Sequence, residues 1–421
     1  MAEFPYPPRQ RAKELLEACT FVLSAPFAST SFPTEFPYQP MDTQVRIQTV
    51  ETGSDWETFL DLPQQVYQGD PHWVPPLRRS VAANFDRSNP FYQYGELQAF
   101  LAWREDRNHH HPTAVGRIVA AINHRLIERE GEAVGVFGFF ECIEDFQAAR
   151  LLLASACDWL RSHGMTRVRG PIDLSTHNNC LFLVDGFDDP PLVMMPYNPP
   201  YYPQFVEKAG FAKAKDAYAY NLPLDKPLPP KFAKAYRIAC QSGITFRPVR
   251  HRGEGFTEDV RHIYHLFNAT FSGSWSSTPR TEAEFFETAK DLKSTVDRDV
   301  FSFAEENGKP VGFFMSLPDY NIPLRHVNGK LNWWGMLKFL WYRRQIDRLR
   351  VLVICVLPEY RRKMVAMALI YHNHHHGSQP SKPYKNAELS WVWEDNTNSR
   401  RVIEATGCTI YKTYRMYEKA L

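Results

Sequence analysis

No apolar run in this sequence approaches the ~18 residues that a membrane-spanning helix needs, so nothing in it reads as a membrane span. A charge excess of one sign is also missing: 49 Lys and Arg face 47 Asp and Glu. Without a global basic field, a nucleic-acid partner is not indicated. The seven cysteines are scattered and odd in number, and no two form a C-x-x-C pair. That excludes a disulfide framework or a zinc site and points to a reducing, cytoplasmic setting. Residues 21–28 are a short apolar run, but Lys13, Glu14 and Glu17 precede it, so it does not read as a secretory signal.

What is present suffices for sizeable cores: 44% of the chain is apolar. At 421 residues, two domains is the natural expectation. Residues 1–42 are rich in Pro, Phe, Ser and Thr without strand or helix periodicity, and are expected to be a disordered or weakly ordered extension. Regular strand alternation begins at Met41-Asp42-Thr43.

The most informative stretch is residues 351–370, VLVICVLPEYRRKMVAMALI. An apolar strand pattern runs to Pro358, a basic turn follows (Arg361, Arg362, Lys363), and a helix-forming run begins at Met364. A buried strand ending in a basic turn that opens a helix is suited to an anion. The first helical N–H groups lack partners, and the helix dipole favours negative charge there. Arginine and lysine add charge and forked donors for phosphate.

The chain also repeats itself at long range. Gly116 to Gly210 spans 94 residues, and Gly312 to Gly407 spans 95. In each case Lys follows the second glycine by five residues (Lys215, Lys412) and Tyr by ten (Tyr220, Tyr417). Each half is expected to run through strands at 98–103 or 300–305, a strand beginning at Val-Gly, and a central strand at 134–142 or 351–357. A helix (146–163 or 364–376), a further strand (167–172 or 387–393), a helix before the glycine and a closing strand complete it. Helices alternating with strands give an α/β class, or α+β with a mixed sheet. The expected division is residues 43–220, a Pro-rich linker at 221–230, and residues 231–421.

These residues resemble the GNAT superfamily of acyl-CoA-dependent N-acyltransferases. Val356, Pro358, Tyr360, Arg361 and Ala366 fit its CoA pyrophosphate loop, but Met364 stands at the glycine position. The segments VGVFGFFEC, MMPYNPPYYPQFVEKAGF and ELSWVWEDNTNSRRVIEATG extend the likeness over about residues 45–421, toward the YghO-like bacterial branch. The resemblance implies two tandem GNAT-like domains. The second would bind acyl-CoA, with acetyl-CoA the expected donor, and pass the acyl group to a small-molecule or peptide amine. The first lacks the phosphate loop, since Glu144 and Asp145 stand there and repel phosphate. No metal is implied.

The resemblance also nominates residues. The CoA site would comprise Val356, Arg361, Arg362, Lys363, Met364, Val365, Ala366, Asn396 and Asn398. The Val356 N–H would polarise the thioester carbonyl. Glu388 or Glu394 would be the general base. Many relatives place a tyrosine four residues before the last glycine to assist thiolate release; here that residue is Ile403. Asp319 and Asn321 follow a strand where substrates enter, and Tyr201 and Tyr202 lie in a Tyr- and Pro-rich run expected to wall the acceptor pocket.

Two readings stand beside an acetyltransferase. A degenerate, non-catalytic pair would bind a ligand or partner, which Met364 and Ile403 favour. A long-chain transferase would use acyl-CoA or acyl carrier protein, which residues 330–344 (KLNWWGMLKFLWYRR) favour. Apolar side chains there fall at 333, 334, 337, 340 and 341, a helical face. It is read as core-facing, with a lid over an acyl chain or peripheral membrane contact as alternatives. The histidines at 109–111, 372 and 374–376 lack Cys or carboxylates at ligand spacing, so no metal is assigned to them.

Overall fold

The computed structural model describes residues 44–105, 112–271, 273–293, 295–329 and 331–421. The expected N-terminal extension and His109–His111 lie outside the described residues. Among the described residues there are thirteen strands: β1 (Gln44–Thr49), β2 (Gly95–Glu105), β3 (Thr113–Asn123), β4 (Val134–Cys142), β5 (Arg167–Gly170), β6 (Phe182–Asp185), β7 (Ala212–Pro223), β8 (Ile244–Pro248), β9 (Phe301–Glu306), β10 (Lys309–Pro318), β11 (Arg348–Val356), β12 (Asn386–Trp393) and β13 (Thr409–Ala420). The helices are α1 (Gly53–Val66), α2 (Arg78–Ala82), α3 (His124–Glu130), α4 (Phe146–Ser162), α5 (Tyr201–Lys208) and α6 (Pro230–Gln241). They continue with α7 (Gly253–Phe271), α8 (Glu282–Leu292), α9 (Asn321–Leu324), α10 (Trp333–Tyr342), α11 (Val365–Gly377) and α12 (Thr397–Glu404).

The repeat anticipated from the glycines is structural. Gly116 and Gly312 sit on β3 and β10, each against the strand that follows. A Cβ at Gly116 would meet Cys142 Sγ and Glu141 O, and one at Gly312 would meet Cys355 O and Val356. Gly210 and Gly407 end α5 and α12 at φ +87° and +90°, a left-handed turn that glycine adopts without a Cβ penalty.

The sheet does not divide as the halves do. Its strand order is β1-β2-β3-β4-β5-β13-β7-β12-β11-β10-β9-β8, with β6 also pairing β13. The last strand of each half is exchanged. β13 lies beside β5 of the first half, β7 lies beside β12 of the second, and the two exchanged strands pair antiparallel with each other. Residues Thr43–Leu421 accordingly form one compact unit. The two tandem domains expected from the sequence thus share one continuous sheet. The expected linker shrinks too: Asn221 to Pro223 complete β7, and Pro230 begins α6.

Two parallel contacts interrupt the antiparallel order, and both splay. β11 and β12 pair only from Arg348↔Asn386 to Val351↔Leu389, after which both strands run on unpaired with each other. β4 and β5 pair only from Val134↔Arg167 to Val136↔Arg169. One face of the first repeat is covered by α4. Its Ala148, Ala149, Leu152, Leu153, Ala156, Cys157 and Leu160 are buried at helical spacing. The equivalent face of the second repeat is covered by α6 and α11 over Val351, Val356 and Leu389. The opposite face is continuous: Val136, Phe139 and Leu181 share one core with Trp393, Tyr414 and Met416.

α10 departs from expectation. Its tryptophans do not face the core but lie open to solvent.

Candidate active site

The gap between β11 and β12 opens into a cavity of about 1580 Å³ that both repeats line. It exists because the strands diverge after Val351 and Leu389 while α11 and the first repeat close its sides. Just after β11, Leu357 N–H donates to Val311 O (3.0 Å), so alternation turns the Val356 N–H away from β10 and into the gap. That orientation suits a donor to a carbonyl oxygen lodged there.

The basic turn is a short 3₁₀ segment, Pro358–Lys363, leading into α11. Arg361, Met364 and Ala366 line the cavity. Arg362 is exposed. Lys363 is engaged elsewhere, pairing with Glu306, which also accepts from Tyr360 Oη at 2.8 Å. The Lys363 ammonium is held above its ordinary range by that partner. Val365 is buried in the core beneath α11. A phosphate here would meet the free N–H groups at the start of α11 and the Arg361 side chain, and these residues fit a CoA pyrophosphate.

Met364 sits at φ +60°, ψ 21°. This is the left-handed conformation for which the family's glycine is suited, and a residue with a Cβ is strained in it by roughly 1–2 kcal/mol. Met364→Gly is therefore expected to raise the melting temperature and to tighten CoA binding by clearing the phosphate approach. Thermal melts and calorimetry of the variant would show both; an unchanged CoA affinity would mean that the thioether does not border the phosphates.

At the base of the gap lies a buried polar network that sequence reading caught only in part. Glu388 is 2% exposed and faces Arg350 across the parallel register. Its carboxylate accepts from Ser390 Oγ on one oxygen and from Tyr411 Oη on the other. Arg350 Nε donates to Ser390 Oγ at 2.9 Å and lies 3.9 Å from Glu388, and its Nη1 donates to Val193 O at 2.9 Å. Burial, then Glu388, pushes the Tyr411 phenol far up, while burial lowers Arg350. Ser390 and Arg350 line the cavity, and Glu388 stands directly behind Ser390.

The other nominated residues separate. Glu394 does not line the cavity: it pairs with Lys213 (2.8 Å) and accepts from Asp216 N–H. Asp319 is fully buried and accepts from Val193 N–H, Asn321 N–H and Arg348 Nη2. It ties the second repeat to the 189–195 segment and has no free oxygen to offer an amine. Asn321 lines the cavity while donating to Pro191 O (2.9 Å). Asn396 and Asn398 both line it, and Asn396 also caps α12 by accepting from Ser399 N–H. Ile403 lines it as well and has no ionisable proton to give. Tyr202 reaches it, whereas Tyr201 packs on Phe205 and donates to Cys142 O.

From β4 to β11 is five strand spacings, about 24 Å at ~4.8 Å each, so the cavity is long. Trp275, Trp391 and Trp393 stand along it, an aromatic lining the sequence did not indicate. Its far end is polar. Glu141 accepts from Tyr202 Oη (2.8 Å) and lies 3.9 Å from Arg117, and burial pushes its carboxyl up to about 7. Asp173, which accepts from Phe139 N–H, is pushed to about 6 by burial. The first repeat does not offer a second pantetheine slot. Ile172 N–H donates to Phe137 O (2.7 Å), and a Cβ at Gly138 would stand 2.2 Å from Ile172 O, so backbone fills its splay. Its helix start is occupied by the Asp145 carboxylate, which accepts from the Gln147 and Ala148 N–H groups. Arg350 and Ser390 were missed because their signal is faint: polar residues at period two in otherwise apolar strands, whose meeting depends on register.

The sequence pattern of the acetyltransferase (GNAT) family matches residues 260–407. A bacterial ceramide synthase of Caulobacter vibrioides is 32% identical over 393 residues, covering 91% of this chain and all of that protein. Protein YghO of Escherichia coli is 29% identical, covering 89% of this chain and 95% of that one. Among solved structures, a tandem GNAT protein from the clavulanic acid biosynthesis pathway is similar in fold, with a TM-score of 0.53 at 13% identity over 90% of this chain and 98% of that one.

Proposed function

We propose, from the premise that this chain belongs to the GNAT N-acyltransferases in their YghO-like tandem branch, that it joins a long-chain acyl group from CoA to the amine of a long-chain amino alcohol. The observation that carries this reading is the cavity. At about 1580 Å³ it exceeds the ~300–1,000 Å³ of ordinary small-molecule pockets, and most of its lining is apolar or aromatic. An acetyl group and a small amine would leave much of it unfilled. A ceramide is the amide of a fatty acid and a long-chain amino alcohol, so the name of the Caulobacter relative describes the same chemistry.

In this reading Arg361 and the start of α11 hold the pyrophosphate, and the Val356 N–H steadies the oxyanion that develops on the thioester carbonyl. Glu388, acting through Ser390, takes the first proton from the substrate ammonium. The freed amine attacks the carbonyl carbon, the C–S bond breaks, and the second amine proton passes to the departing sulfur. No separate acid is then required where Ile403 replaces tyrosine.

A donor series tests this. Long-chain acyl-CoA with a long-chain amino alcohol is expected to give amide, detected by mass spectrometry, with a far higher kcat/KM than acetyl-CoA. Preference for acetyl-CoA would overturn the long-chain reading. Stabilisation by CoA with no donor consumed would favour the non-catalytic alternative instead.

A further inference from the structure

We infer that α10 docks this protein onto an anionic lipid bilayer beside the mouth of the cavity. Trp333, Trp334 and Trp341 are 73%, 72% and 67% exposed, and Leu337 and Leu340 are exposed with them. Of the whole helix only Gly335 is buried. So apolar a helix is ordinarily buried, and an exposed patch of this kind marks an interaction surface.

Charge selects the occupant. From residue 320 to residue 346 there is no acidic residue, while Arg325, Lys330, Lys338, Arg343 and Arg344 are basic. A two-fold contact between copies through this face would set the basic groups against one another, which is unfavourable. An anionic membrane surface attracts them, and tryptophan partitions to the boundary between headgroups and acyl chains. Among the described residues no helix is long and apolar enough to cross a membrane, so contact through α10 would be peripheral.

Position ties this surface to the site. Tyr320 stacks on Phe339 of α10 (centroids 6.0 Å apart, planes 7° apart), and His326 stacks on Tyr342 at 3.5 Å. Just before α10, Asn321 and Leu324 of α9 line the cavity, as does the exposed Met194 at its rim. A helix lying in the bilayer interface therefore holds that rim at the depth where a lipid amine and an acyl chain reside. This inference rests on the long-chain reading, but its test is independent of turnover.

The full chain is floated with vesicles of phosphatidylcholine alone and of phosphatidylcholine with phosphatidylglycerol. Binding to the anionic vesicles is expected, weakening at high salt. Trp333→Ser combined with Trp334→Ser and Trp341→Ser is expected to reduce it about tenfold or more, with an unchanged melting temperature. Lys338→Glu with Arg344→Glu is expected to abolish the preference for anionic lipid. Failure of the parent protein to float, or equal flotation of the tryptophan variant, would overturn the inference. So would a dimer in gel filtration that the tryptophan variant dissolves while vesicles are ignored. Turnover of long-chain substrates in detergent micelles separates the two readings: full turnover without flotation sinks docking alone, and flotation with acetyl preference sinks the long-chain reading alone.

Discussion

Glu388→Gln is expected to lower kcat by about 10²–10⁴-fold, the range for loss of a positioned general base, with CoA affinity nearly unchanged. The substitution keeps the shape of a side chain that is 2% exposed and retains an acceptor oxygen for one of Ser390 and Tyr411, which sit on opposite oxygens of the carboxylate. It removes the charge that draws a proton from the substrate ammonium. Ser390→Ala should produce a smaller loss, because water can occupy the place of the relay hydroxyl. Glu394→Gln is the control. That carboxylate pairs with Lys213 and the Asp216 N–H away from the cavity, so its removal should leave kcat within a few-fold. If Glu394→Gln abolished turnover and Glu388→Gln did not, the assignment of the base would be reversed.

Neither repeat is expected to fold alone. Residues 44–220 without the remainder would lose β13, which covers β5, β6 and much of β7. Residues 231–421 would lose β7 from both β12 and β13. Each fragment would expose long unpaired edges in what was the middle of a sheet, a template for aggregation. Each would also uncover its part of the core shared by Val136, Phe139, Trp393, Tyr414 and Met416. Expressed singly, both should be insoluble. Co-expressed as residues 44–226 and 227–421, they should assemble into a soluble complex, since only the short connection between β7 and α6 is then cut. A fragment of residues 231–421 that melts cooperatively as a monomer would show that the exchange of strands is dispensable. The same topology predicts that protease cleavage near Lys226 leaves the two pieces associated.

The anion loop was legible because it is local, and the repeat because it is a matter of spacing along the chain. Period-two apolar strands and a basic turn between strand and helix are written in adjacent residues, and the glycines at matched spacing can be counted along the chain without knowing any contact. The departure at Met364 was legible as chemistry, and its left-handed backbone supplies the reason for the family's glycine. The helices α7 and α8 went unassigned, although Thr281 and Glu284 form a capping box that signals the start of α8. The tryptophan helix was placed on the right residues and turned the wrong way. Periodicity identifies an apolar face, but a face seeking the core and a face seeking a membrane have the same spacing.

By itself the sequence determined the repeated strands and helices, their duplication, and the basic strand-to-helix turn within 351–370 that suits an anion. Tertiary structure alone decided which strand lies beside which, that Glu388 and not Glu394 stands behind the cavity, and that α10 is left uncovered. The physical reason is common to all three. A ladder of backbone hydrogen bonds is indifferent to distance along the chain, so β13 pairs with β5 as readily as with a neighbour in its own repeat. Once that register is set, it alone determines which carboxylate meets Arg350 and Ser390, and which apolar surface finds no protein to cover it.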